Sequence, residues 1–357
     1  MKNEKILFLA IAVAAITACS SDDKTELPSV KEAPMELKLS SSLSVATRAA
    51  YTPTQSTDIV DGEKVYAWVD DHGSATPAVS ASEWIKAWEL TALTVSTEHQ
   101  LNGTTKYYPE SGRNVDIYAL HGNNLTIGTT AVTDGANSYP EYDNTDATNT
   151  TVSHTVLADQ SVAGNYEKSD LLYAKSTDLV RQTARHPLIF YHMLSKIEVG
   201  LKLGAGMNAT NISGATIEIM NTKPTAKVQF SKATAAGSYT STQITADGTA
   251  APIKMRQTNS QGEITTGPTT SESGIEIFGE AIIVPQTITH SGTDVSFIHV
   301  HLTGGGDLYA KLGATTTFAP YKKYIYIVTL GLSGLTVSST ILDWTTEATN
   351  SVNASME

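Results

Sequence analysis

Apolar and polar residues alternate singly along much of this chain, and no helical period of comparable length competes with them. Single alternation puts successive side chains on opposite faces of an extended backbone, so it demands strands with one buried side. Leu188 to Leu203 alternates and turns at Gly204, and Val295 to Leu302 alternates before Gly304-Gly305-Gly306. Val65 to Val69 follows the turn signal Asp61-Gly62, and Ile275 to Val284 ends at Pro285. Tyr324 to Leu332 is apolar on both faces, which predicts a central strand covered on each side. Trp84 to Leu90 and Val115 to Leu120 read as further strands. Ala215 to Met220 and Lys227 to Phe230 read as a pair. Asn123 to Val156 and Thr234 to Gly274 are polar and predict long surface loops. Many short strands divided by Gly and Asn turns imply an all-β fold of β-sandwiches. With 357 residues there is room for two such domains and a leader.

The chain has one cysteine, Cys19, so beyond it there is no disulfide, Cys-ligated zinc or Cys nucleophile. Its position explains it. Lys2 and Lys5 precede an apolar run from Ile6 to Ala18, which has the length of a signal-peptide core. Ile16-Thr17-Ala18-Cys19 resembles a bacterial lipobox, where the thiol is acylated and the chain is cut before Cys. Lipidation of Cys19 and an ordinary signal peptide cut after Ala18 are the two readings, and the first is adopted. Ser20 to Lys24 is polar and acidic, either a solvated tether or a signal for export to the outer face of the outer membrane.

Met35, Leu37, Leu39, Leu43 and Val45 share one register, interrupted only by Ser41. They predict a long half-buried strand. Directly after it stands Thr47-Arg48-Ala49, and then a polar, Pro-containing linker from Tyr51 to Thr57. Arg48-Ala49 is a site for a trypsin-like protease.

Net charge is −12, without a basic stripe, which argues against nucleic acid as a partner. No nucleophile elbow, phosphate loop, zincin motif or dinucleotide fingerprint occurs, so the expectation is no catalytic residue, cofactor or metal, and no enzyme. His299 and His301 share a strand face and are weighed as a metal pair against plain surface histidines. The second reading is preferred because the flanking residues supply no third ligand, although His290 can approach by folding. His192 is read as a hydrogen-bonded structural histidine. Trp68, Trp84 and Trp88 either stack on sugar or pack in the core.

Several segments resemble those of the fimbrillins, the subunits of type V pili. They are Tyr107-Tyr108-Pro109 followed by Val115-Asp116-Ile117-Tyr118-Ala119, and Phe190 to Ile197 with His192, Ser195 and Lys196. Phe318 to Tyr324 follows, with Tyr321 where the family has Gly, and then Val337 to Trp344. Their order, with the lipobox and Thr47-Arg48-Ala49, spans nearly the whole chain. The resemblance implies two transthyretin-like β-sandwiches after a lipoprotein signal peptide. The expected divisions are 1–18 signal peptide, 19–48 lipid-anchored pro-segment with a removable strand, 49–182 first sandwich and 183–357 second sandwich. Leu335 to Trp344, apolar-rich and followed by a polar tail, is read either as a candidate donor strand with that tail or as an ordinary edge strand of the second sandwich. The resemblance further implies a pilus subunit that polymerises with other pilins, of its own or another kind. An Arg-specific protease frees the groove, a lipid at the outer membrane holds the precursor, and the pilus supports adhesion to a host or bacterial surface ligand. A surface lipoprotein that binds glycans for an uptake system is the alternative.

Overall fold

The computed structural model describes residues 34–43, 59, 62–72, 91–96, 99–103, 105–108, 113–132, 151–230, 234–257, 275–303, 306–331, 334–344 and 352–356. Cys19, Arg48, Ala49 and the strand expected at Trp84 to Leu90 lie outside the described residues. Within Pro34–Glu357 the first strands are β1 (Leu39–Leu43), β2 (Lys64–Asp71), β3 (Thr91–Val95), β4 (Gln100–Asn102), β5 (Val115–His121), β6 (Thr126–Ile127), β7 (Thr130–Ala131) and β8 (Thr151–Thr155). A short helix, α1 (Asn165–Lys168), precedes β9 (Leu172–Leu179), β10 (His186–His192) and β11 (Ser195–Leu203). After α2 (Ala209–Ile212) come β12 (Thr216–Thr222), β13 (Thr225–Gln229), β14 (Ile244–Asp247), β15 (Ala251–Lys254), β16 (Arg256–Gln257), β17 (Ile275–Ile283) and β18 (Gln286–Ile288). The last are β19 (Val295–His301), β20 (Asp307–Leu312), β21 (Thr316–Phe318), β22 (Lys322–Gly331), β23 (Gly334–Asp343) and β24 (Val352–Met356).

The chain is all-β, as the alternation implied. Seven strands close into a ring in the order β1-β10-β9-β5-β2-β3-β4, because β1 bonds to both β10 and β4. Leu37, Leu39, Val65, Val69, Leu93, Leu101, Ile117, Leu188 and Phe190 fill its interior. β5 is buried on both sides. Ile117 and Ala119 point into the ring, while Tyr118 and Leu120 join a second, larger core.

That larger core lies among a six-stranded sheet, β16-β17-β11-β22-β23-β24, a four-stranded sheet, β15-β12-β19-β20, and a five-stranded sheet, β14-β13-β8-β6-β7. Phe297 of β19 meets Tyr326 of β22 there, ring centroids 5.6 Å apart, and stacks on Phe318 at 4.9 Å. β22 runs parallel to β11 and antiparallel to β23, and its buried run from Lys323 to Val328 is the two-faced central strand expected from Tyr324 to Leu332. Strands from both sides of residue 182 mix. β10 completes the ring, and β8 pairs with β13.

Three expectations change. β12 and β13 are strands but not partners, since β12 bonds to β15 and β19 while β13 bonds to β8 and β14. The chain turns out of the first sheet at a bulge after Ile219 and at Asn221, whose φ is +61° and whose amide donates to the Ser296 carbonyl at 2.7 Å. The stretch from Asn123 to Val156 is not all surface loop, for Leu125, Ile127, Val132, Val152, His154 and Val156 are buried. β14, β15 and β16 likewise occupy part of the polar region from Thr234 onward. In both places the strands are short, and one apolar residue in two suffices when the partner strand supplies the rest of the face.

Candidate functional site

The strand ahead of Arg48 lies where its pattern predicts. Leu37 and Leu39 are 7% and 4% exposed, and Met35 packs at the margin of the same core. Ser41, the polar interruption in that register, is also buried, and its hydroxyl donates to the His99 carbonyl at 3.3 Å. One hydrogen bond makes a hydroxyl tolerable where an aliphatic group would otherwise sit. Val45 lies outside the described residues.

β1 is clasped on both sides. It runs parallel to β10, with Leu39 opposite His186 and Leu43 opposite Phe190, and antiparallel to β4, with Leu39 opposite Leu101. The segment before it is held by Leu37 N to Lys106 O at 2.8 Å and Tyr108 N to Met35 O at 2.9 Å. Arg185 ties the two neighbours together, donating to the Leu39 carbonyl at 3.0 Å and to Gln100 Oε1 at 2.6 Å. Beside the strand a cavity of about 90 Å³ is lined by Leu37, Leu39, Ala67, Leu93, Leu101 and Arg185, among others. Taking β1 away would open the ring and leave edge groups of β10 and β4 unpaired, which is a template for another strand.

The segments that carry the family resemblance become contacts between sheets. Tyr108 is buried with its hydroxyl 2.5 Å from His186 Nε2, next to the β1 pairing, and burial lowers the His186 pKa. His192 is structural as expected: Nδ1 donates to Asp170 Oδ2 at 2.6 Å, and its ring lies on Trp344. Ser195 donates to the Ala319 carbonyl at 2.8 Å. Lys196 sits between Glu198 and Glu280, at 2.9 and 2.7 Å. Arg256 also bonds Glu280, through Nε at 2.9 Å, pairs with Glu167 and lies 3.8 Å over the Tyr166 ring. Burial pushes the Glu280 pKa up, yet Lys196 and Arg256 together outweigh it and hold the carboxyl below its ordinary value. Tyr321 has φ +61°, the left-handed region that glycine enters freely.

Trp68 is buried, so it packs in the core and presents no face to a sugar. Trp84 and Trp88 lie outside the described residues. His299 and His301 share an outer face of β19, and the third group comes from the facing strand. Asp307 Oδ1 is 2.9 Å from His299 Nε2 and 2.8 Å from His301 Nδ1, while Glu218 of β12 is 3.0 Å from His299 Nδ1. His290 does not join them, since it pairs with Asp294 at 3.3 Å. Burial lowers the His299 pKa, but the bonds to Glu218 and Asp307 prevail and raise it, and the two histidines lower that of Asp307. The pairing of β19 with β20 sets His301 opposite Asp307 and His299 opposite Tyr309.

A ring that clasps its own first strand beside a multi-sheet sandwich defines an all-β sandwich protein. Its fold is shared with a crystallised candidate cell adhesion protein of Bacteroides uniformis at 17% identity and TM-score 0.52, over 87% of this chain and 99% of that one. It is shared too with a candidate cell adhesion protein of Bacteroides ovatus at 13% identity and TM-score 0.56, over 88% and 99%. The fimbrillin-like family model matches residues 47–344, and the chain belongs to that family. No curated protein sequence matches it.

Proposed function

We propose that this protein is a non-enzymatic structural subunit of a cell-surface pilus that supports adhesion, assembled by strand exchange gated by proteolysis. The observation that carries the reading is the position of β1. It closes the ring between β10 and β4, yet it belongs to chain upstream of Arg48, and the family match begins only at residue 47. While the chain is intact the strand is held at high effective concentration. Cleavage between Arg48 and Ala49 by an Arg-specific, trypsin-like protease turns it into a ligand held by non-covalent contacts alone, open to replacement by a strand of a neighbouring pilin. Before cleavage, Cys19 anchors the precursor through lipid to the outer membrane; afterwards the subunit is part of the pilus.

The donor in this reading is β23 with β24. β24 bonds only to β23 among the described residues, and along β23 Thr336, Ser338 and Ile341 are exposed while Val337 is buried. Arg48→Ala tests the gate. Treated with the protease, wild-type protein should give polymer ladders and Arg48→Ala should remain a folded monomer. Ladders of wild-type length from Arg48→Ala, with residues 35–45 still attached, would overturn the gating.

A further inference from the structure

The β19–β20 hairpin carries a cluster that neither strand exchange nor anchoring uses. Glu218, His299 and Tyr309 form one row across β12, β19 and β20, and His301 and Asp307 stand opposite each other in the next. The His299 ring is fixed from three directions. Tyr309 stacks on it at 4.5 Å and 7° from parallel, and a carboxylate faces each ring nitrogen. Each ring nitrogen of His299 thus has an acceptor of opposite charge within hydrogen-bond reach. His301 addresses the same Asp307 oxygen. Three donor atoms of two imidazoles and one carboxylate thus converge within 4.8 Å of one another.

We propose that His299 Nε2, His301 Nδ1 and Asp307 Oδ1 bind one divalent transition-metal ion, zinc foremost, with Glu218 orienting His299. Metal bonds of about 2.1 Å in a tetrahedron set ligand atoms about 3.4 Å apart. The present separations of 2.8 and 2.9 Å therefore need to widen by about half an ångström. His301 and Asp307 can make that adjustment, because their side chains are half exposed, at 55% and 50%. His299 need not move. Its Nε2 takes the metal in place of a proton while Nδ1–H continues to donate to Glu218, the carboxylate–histidine–metal arrangement that fixes tautomer and ring orientation. Two nitrogens and one oxygen suit zinc or copper rather than calcium or magnesium, which take oxygen. Exposure of two ligands leaves the outer side of the ion open to water or to a group from another molecule.

The test uses the full chain, made without a histidine tag and stripped of metal. Zn²⁺ is titrated against a chromophoric chelator, with Cu²⁺ and Ca²⁺ in parallel. One zinc per chain is expected, with copper bound tighter at the same residues and calcium not competing. His301→Ala and Asp307→Ala, both at exposed positions, should each weaken zinc at least about tenfold, and Glu218→Gln about 10–100-fold. His290→Ala should leave it unchanged, and melting curves check that each variant is folded. Failure to bind one zinc per chain would overturn the assignment. So would undiminished affinity in the His301→Ala, Asp307→Ala double variant, or stoichiometric calcium in place of zinc.

Discussion

Trp344 lies flat on His192, ring centroids 4.0 Å apart and 7° from parallel, so the end of β23 rests on the end of β10. The Trp344 N–H adds a bond to the Tyr321 carbonyl at 2.7 Å. Trp344→Ala should lower stability by about 1–3 kcal/mol, and Trp344→Phe by less, because a ring still covers the imidazole. Urea unfolding of both variants measures the difference. Equal losses would mean that the stack contributes nothing.

After cleavage at Arg48, β1 should be kept by its buried aliphatic side chains. Leu37→Ala and Leu39→Ala should each weaken its hold by about 2–5 kcal/mol. In gel filtration of protease-treated protein, the wild-type strand should travel with the body and the double variant should lose it. Retention of the peptide by the double variant would show that backbone bonds alone suffice.

Glu280 is fully buried between Lys196 and Arg256. Its removal takes away the carboxylate that Lys196 and Arg256 share, leaving Glu198 and Glu167 to face them. Glu280→Ala should destabilise by about 3–5 kcal/mol. Its depressed carboxyl pKa also makes its contribution complete above pH 4.5 and lost as pH falls further. Denaturation midpoints for both proteins should converge in acid, and parallel curves would refute this.

His154 is buried with Nδ1 2.9 Å from the Asn123 carbonyl and Nε2 2.8 Å from that of Ser169. Burial lowers its pKa below 6.5. The unfolded chain therefore takes up the proton first as pH falls, so the stabilisation is complete above 6.5 and lost below it. His186 shifts in the same direction. His299, whose pKa is raised, works in the opposite direction, so the difference between proteins carries the test: between about pH 8 and 5 the melting temperature of wild type should lose more, relative to its value at pH 8, than that of His154→Gln. Parallel pH profiles for the two proteins would contradict the assignment.

Tyr321 occupies a left-handed conformation that disfavours L side chains by about 1–2 kcal/mol. Two contacts offset the strain: its N–H donates to the Leu194 carbonyl, and its hydroxyl accepts from Tyr239 N at 3.0 Å. Tyr321→Phe should lose about 0.5–1.5 kcal/mol with that second bond. Tyr321→Gly should be less stable still, since the lost ring burial exceeds the backbone relief. A stabilised glycine variant, read from urea midpoints, would reverse this ranking.

Much of this was legible because strand period is local. The faces of Met35, Leu37 and Leu39 and the two-faced β22 follow from residue spacing, and the structural role of His192 from the strand that resembles the family's. Tyr321 stands where the family has glycine, and only the structure shows that the position has a positive φ. What stayed hidden depends on pairing at a distance. β12 and β13 look like a hairpin until the bulge and Asn221 turn the chain from one sheet to another. Val152, His154 and Val156 look too sparse for a core until β13 lies beside them. Asp307 becomes a neighbour of His301 only across the hairpin.

The ring has a further consequence for the order in which the protein can mature. Leu39 pairs with Leu101, but its parallel partner is His186. A chain threaded outward from its N-terminus delivers β1 long before β10 exists on the far side. Long-range closure of this kind comes late in folding. Until β10 arrives, β1 is fastened on one side only. Under the proposed reading, a precursor cut after Arg48 before residues 186–192 were in place would lose β1 before the ring had ever closed.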